Sequence, residues 1–151
     1  MRYRWSAPLA VLALVLMPRV GSAQTSTTTT TQKSPVAKLE QNYPNPFNPE
    51  TRIPFSVGGY PNCVDPSHQY KVTLIIYNVL MQRVAVPVIQ GGAGNVAGGQ
   101  PLQNVLVPCG QYVAYWNGNY RNTGKEAASG VYLYALEVDG QKLLNKMIVM
   151  K

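Results

Sequence analysis

Thirteen glycines and twelve prolines are spread through 151 residues, and they leave no room for a long helix. Proline fixes φ and removes a backbone donor, while glycine is the costliest residue to order. Between these breakers lie short segments whose apolar residues alternate with period two. Val72, Leu74 and Ile76 share one parity of 70–78, and Thr73, Ile75 and Tyr77 the other. In 130–138, Val131, Leu133 and Ala135 alternate with Tyr132, Tyr134 and Leu136. Such alternation marks strands with two faces. Asp139-Gly140 then supplies a two-residue hairpin turn into 142–150. Ten tyrosines against two phenylalanines suit strands with wet faces.

Further strands are expected over 52–57, 83–89, 105–107 and 111–116, with a first near 39–42, giving seven or eight. Pro87 marks 83–89 as an edge strand. No segment joins a 3.6-residue apolar period to helix caps. The expected fold class is all-β, an immunoglobulin-like antiparallel β-sandwich over 39–151, whose 113 residues suit one such domain. Leu106-Val-Pro-Cys-Gly-Gln-Tyr112 has the spacing of a tyrosine corner, in which the phenol bonds the backbone just upstream. A plain turn followed by a strand that starts with tyrosine fits the same residues. Trp116 reads as a core residue rather than a ligand platform.

Two segments precede the domain. Residues 1–23 read as a signal peptide, with Arg2 and Arg4 at the start and an apolar stretch from Ala7 to Met17. Gly21 and Ala23 then provide small residues at a cleavage site. That stretch is shorter than the roughly twenty residues that span a bilayer. Residues 24–38, with Ser26, Thr27 to Thr31, Lys33, Ser34 and Pro35, read as a disordered linker. Loss of Arg2, Arg4 and Arg19 with the signal lowers the formal charge from +7 to +4. Residues 39–151 hold eight Lys or Arg against six acids, with no basic run to track a phosphate backbone, so no nucleic-acid partner is expected. In an exported chain Cys63 and Cys109 are expected to form a disulfide.

Candidate chemistry is sparse. His68 is the single histidine, and with Asp65 and Cys63 it forms only a loose cluster without metal-ligand spacing, so a solvated loop is expected there. Ser129 lacks the preceding glycine of a nucleophile elbow. The stretch 91–99 is glycine-rich but has no Lys-Ser/Thr and leads into Gln100-Pro101 instead of a helix, so it reads as a loop. No catalytic residue, cofactor, metal site or small-molecule substrate is expected, and the chain is read as a non-enzyme.

Three blocks of the sequence, taken together, resemble a known family. The first is Leu39-Glu-Gln-Asn-Tyr-Pro-Asn-Pro-Phe-Asn-Pro-Glu-Thr51, including Tyr43, Pro44, Asn45, Pro46 and Phe47. The second is Val72 to Leu80 with Arg83-Val84-Ala85, similar to the family's "IYDVLGREV" strand pair. The third runs from Gly110 through Tyr112, Trp116, Asn117 and Gly118 to Gly130 and Tyr132, and ends with Lys146 to Lys151. The set resembles the C-terminal sorting domain of type IX (Por) secretion cargo, related to the immunoglobulin-like domain of the flagellar hook-capping protein. Met81-Gln82 and the long loops 58–69 and 91–101 depart from its pattern.

The resemblance implies export to the outer-membrane surface or the exterior of a Gram-negative-type bacterium. The implied partners are secretion or surface-attachment proteins of the outer membrane. With only a Thr-rich peptide to release, the domain is expected to be the mature product. Prolines 44, 46 and 49 are expected to make a rigid corner that cannot join a ladder, with Phe47 plugging the sandwich end. The last strand's edge and the Lys151 carboxylate are expected to be free for an added strand. The alternative reading is a structural or adhesive surface module, hook-cap-like or fibre-forming, acting by self-association or by protein or glycan contacts.

Overall fold

A computed structural model describes residues 36–92, 96–120 and 123–151. The signal-peptide segment 1–23 and linker residues 24–35 lie outside these, as do residues 93–95 of the glycine-rich stretch.

The described residues form nine strands: β1 Ala37–Leu39, β2 Thr51–Val57, β3 Tyr70–Asn78, β4 Arg83–Ala85, β5 Val88–Gln90, β6 Val105–Val107, β7 Gly110–Trp116, β8 Gly130–Val138 and β9 Gln141–Val149. They pair antiparallel in two sheets. One has the order β1-β2-β7-β5, the other β4-β3-β8-β9 with β6 also on β3. This is a β-sandwich, as the alternation requires. Its core takes one parity of each long strand: Ile53, Phe55 and Val57; Val72, Leu74 and Ile76; Tyr112, Ala114 and Trp116; Tyr132, Tyr134 and Leu136; Met147 and Val149.

Three expectations need correction. The strand expected over 83–89 is two strands in different sheets: β4 pairs with β3, and β5 pairs with β7. Pro87, with no amide to donate, stands where the chain leaves one ladder for the other, and its carbonyl accepts from Leu102 at 2.9 Å. The first strand lies at Ala37–Leu39, earlier than 39–42, so Ala37 and Lys38 of the expected linker pair with Val57 and Ser56. β1 stops at Leu39 because the next β2 residue is Pro54, which offers a carbonyl to the Glu40 amide (3.0 Å) but no amide in return. Among the described residues the strand count is therefore nine, against the seven or eight expected.

The expected disulfide joins Cys63, in the loop before β3, to Cys109, just before β7. Gly58 makes this close approach possible. A Cβ there would lie 2.7 Å from Cys109 Cβ and 2.9 Å from the Tyr70 ring, at a φ of +75°.

Candidate interaction surface

The proline-rich segment 43–49 has few amides, so its carbonyls must be satisfied from elsewhere. Two buried polar side chains do this. Asn42 Nδ2 donates to Thr51 Oγ1 (2.9 Å) and to the Pro44 carbonyl (3.1 Å), and Thr51 Oγ1 donates to the same carbonyl (3.1 Å). The Asn42 amide donates to the Tyr134 hydroxyl (3.1 Å), which donates on to the Glu40 carbonyl (2.8 Å). Burial pushes the Tyr134 phenol above its ordinary pKa, so it stays a donor. Tyr43 itself exchanges both backbone bonds with Arg52, and its ring is exposed.

The segment then joins the last strand, contrary to the expectation that it cannot enter a ladder. Phe47 is not a proline and lies parallel to Val149. Its amide donates to the Ile148 carbonyl and its carbonyl accepts from the Met150 amide, both at 3.0 Å. Asn45 Oδ1 accepts the Ile148 amide at 2.9 Å. Gln41 Nε2 donates to the Lys146 carbonyl at 3.0 Å. The outer edge of β9 is thus covered from Lys146 to Met150, which corrects the expectation of a free edge there. Lys151 is also tied down: its amide donates to Ser129 Oγ (3.1 Å) and its ammonium pairs with Glu126 (2.6 Å).

Residues of the first and third blocks meet at this end of the sandwich. Phe47 packs edge-on against Trp116 at 5.4 Å, and Trp116 against Tyr132 at 5.8 Å. Trp116 is buried, as expected, and its indole donates to the Asn119 carbonyl at 2.9 Å. Asn117 Oδ1 accepts the Asn119 amide (3.1 Å). Gly118, at φ +76°, faces the Pro49 carbonyl so closely that any Cβ would collide with it. Gly130 opens β8 opposite Val149. Pro46 and Lys146 are exposed.

The tyrosine corner is present: the Tyr112 hydroxyl donates to the Pro108 carbonyl four residues upstream at 2.7 Å. Tyr132 repeats the offset with the Ala128 carbonyl at 3.0 Å. Burial raises both phenols, keeping the proton that each bond needs. Gly110, at the start of β7, pairs with Val57 and lies next to this corner.

The outward face of the five-stranded sheet was not singled out by the sequence. Cross-strand register brings Tyr77, Leu133 and Lys146 into one row, Ile75, Ala135 and Leu144 into the next, and Thr73, Glu137 and Lys142 into a third. Val131, Leu144, Ile148 and Met150 are exposed, as are Val79, Leu80 and Met81 in the turn after β3. The sequence signal was present: three large aliphatics in a row at a turn.

Elsewhere the expected absence of a site motif leaves little to assemble. Cys63 is consumed by the disulfide, and no group of three potential metal ligands occurs among the described residues. His68 stands in an exposed loop, as expected, and makes two contacts there. Its Nε2 lies 2.8 Å from Asp139 Oδ2, and its ring packs on Tyr70 at 4.4 Å. Asp139 Oδ1 also accepts the Lys71 amide (2.8 Å). Desolvation raises the Asp139 carboxyl, but the bonds from His68 and Lys71 outweigh it and hold the group below its usual range. Pair and ring therefore pin the long 58–69 loop to the β8–β9 turn. No protein-family model matches the sequence, and no curated protein or solved structure matches it.

Proposed function

We propose that the chain is an exported, non-enzymatic β-sandwich that engages the outer-membrane secretion or surface-attachment machinery, as a type IX sorting domain does, and that the domain is retained as the mature product. One observation supports this reading above the rest. Residues 41–47 and 146–151, from opposite ends of the domain, build a single corner through Phe47, Asn45 and Ile148. A partner that reads this corner reads only the folded domain, because the corner exists only when residues 146–151 are in place. The exposed ring of Tyr43 and the exposed residues around Phe47 form its accessible side.

The test is cell fractionation of the double variant Tyr43→Ser with Asn48→Lys, both exposed positions. The wild-type chain is expected outside the outer membrane, in the medium or on the cell surface, and the folded, oxidised variant in the periplasm. A variant exported as well as the wild type would end this reading.

A further inference from the structure

The turn joining β3 to β4 carries three large aliphatic residues into solvent: Val79, Leu80 and Met81 are 65%, 74% and 55% exposed. A run of this kind on a water-facing turn is unfavourable unless something covers it. The turn is also fixed in shape. Asn78 Oδ1 accepts from the amides of Leu80 (3.0 Å) and Gln82 (2.9 Å), and Asn78 Nδ2 donates to Gln82 Oε1 (2.8 Å). The Met81 amide donates to the Asn78 carbonyl (3.0 Å), with Met81 at φ +58°, a conformation that favours glycine. The sequence thus keeps a bulky apolar residue where glycine would fit with less strain.

Register extends the apolar surface. Asn78 opposes Tyr132, which opposes Met147. The row beyond therefore brings Val131 and Ile148, cross-strand partners, beside the turn, with Met150 after them. All three are exposed.

The composition of this surface favours lipid over a protein pocket. None of its six apolar residues is a Trp or Tyr, anchors that dominate protein interfaces, and Tyr77, in the neighbouring row with Leu133 and Lys146, is half-buried. Cations lie beside it: Lys146 stands one row back in β9 and Lys125 belongs to the same end, while Arg83, after the turn, donates to Gln103 Oε1 (2.7 Å) and Lys151 pairs with Glu126. Of the acids at this end, Glu126 pairs with Lys151, and Glu50 accepts the Tyr115 hydroxyl (2.6 Å) beside the other sheet. Asp65, Glu137 and Asp139 belong to the opposite end, around the β8–β9 turn, and the sixth acid, Glu40, pairs with Lys38 (3.0 Å). Aliphatics at a tip with cations behind them suit the boundary between headgroups and acyl chains.

We propose that Val79, Leu80 and Met81, with Val131, Ile148 and Met150, insert shallowly into an anionic lipid bilayer while Lys146 and Lys125 meet the headgroups. Contact of this kind is weak and reversible, and it holds the sandwich against a membrane surface without spanning it.

The experiment is co-sedimentation of residues 24–151, which contain every described strand and the disulfide. The vesicles are phosphatidylcholine with about 30% phosphatidylglycerol, an anionic surface of the kind that attracts basic residues. The wild-type chain is expected to pellet with these vesicles and less with neutral ones. Leu80→Ser is expected to lower the partition about tenfold, the loss of one buried aliphatic side chain. Leu106→Ser, at an exposed position beside Lys71 at the other end of the sheet, is the matched control and is expected to bind unchanged. Near-ultraviolet circular dichroism and an intact disulfide check that each variant is folded. Wild-type protein left in the supernatant, or Leu80→Ser pelleting as wild type, would overturn the proposal. So would a lipid-free dimer that Leu80→Ser dissolves, since the surface would then belong to a second copy. The routing test uses Tyr43 and Asn48, outside this surface, so either reading can fail alone.

Discussion

Phe47 grips the strand that carries Val149: its amide donates to the carbonyl before that residue and its carbonyl accepts from the amide after it, each at 3.0 Å. The Phe47 ring meanwhile packs edge-on against Trp116. One residue in a run of prolines therefore closes both the edge and the end of the sandwich. Phe47→Ala is expected to destabilise the domain by about 3–5 kcal/mol, the usual range for deleting a buried aromatic ring. Tyr43→Ala, at an exposed ring, should change stability by less than about 1 kcal/mol. Urea unfolding followed by tryptophan fluorescence compares the two.

Truncation after Lys146 removes Met147 and Val149 from the core and leaves Phe47 without its strand. Loss of the cooperative unfolding transition is expected, not a folded domain with an open edge. A truncated chain that still unfolds cooperatively near the wild-type midpoint would contradict this.

The Cys63–Cys109 bridge closes a sequence separation of 46 residues. Replacing both cysteines with serine is expected to cost about 4 kcal/mol by loop entropy. Gly58→Ala should destabilise by a comparable amount, because the new methyl group meets Cys109 and Tyr70 at a positive φ. Free-thiol titration would then find unpaired cysteines in the Gly58 variant.

Two of the buried phenols are expected to differ in weight. Tyr112→Phe loses one bond to the Pro108 carbonyl, about 1 kcal/mol. Tyr134→Phe strips both the Asn42 amide and the Glu40 carbonyl of a partner, with a larger loss of about 1–3 kcal/mol. Equal effects in thermal unfolding would show that the Asn42 network relaxes.

Asp139 gives a pH signature. Its folded pKa lies below the unfolded value near 3.8. Its contribution is therefore complete above that value and is lost as pH falls through the lower folded pKa. Asp139→Asn is expected to be less stable than wild type at neutral pH and to show a shallower loss of stability in acid. Parallel acid curves for the two proteins would remove the His68–Asp139–Lys71 contact from the account.

Much of the fold was legible in local pattern. The β3 and β8 alternation, the Asp139-Gly140 turn, the core role of Trp116 and the Tyr112 spacing all depend on neighbours within a few residues. The division at Pro87 was not legible, since a proline marks an interrupted ladder without saying which sheet follows. The Val79-Leu80-Met81 surface was written in plain sequence. Its meaning depended on which strands flank the turn, and only register puts Val131 and Ile148 beside it.

By itself the sequence determined the all-β class, the disulfide and the Asp139-Gly140 turn, because backbone breakers and period-two alternation act locally, while the parity that faces the core was left to the structure. Tertiary structure alone decided that Asn45 meets Ile148, 103 residues away, and that the proline corner covers the last strand instead of leaving it open. The reason is physical. An unpaired amide carries no mark in the sequence of the partner that will accept it, and that partner is fixed only when both sheets close on one core.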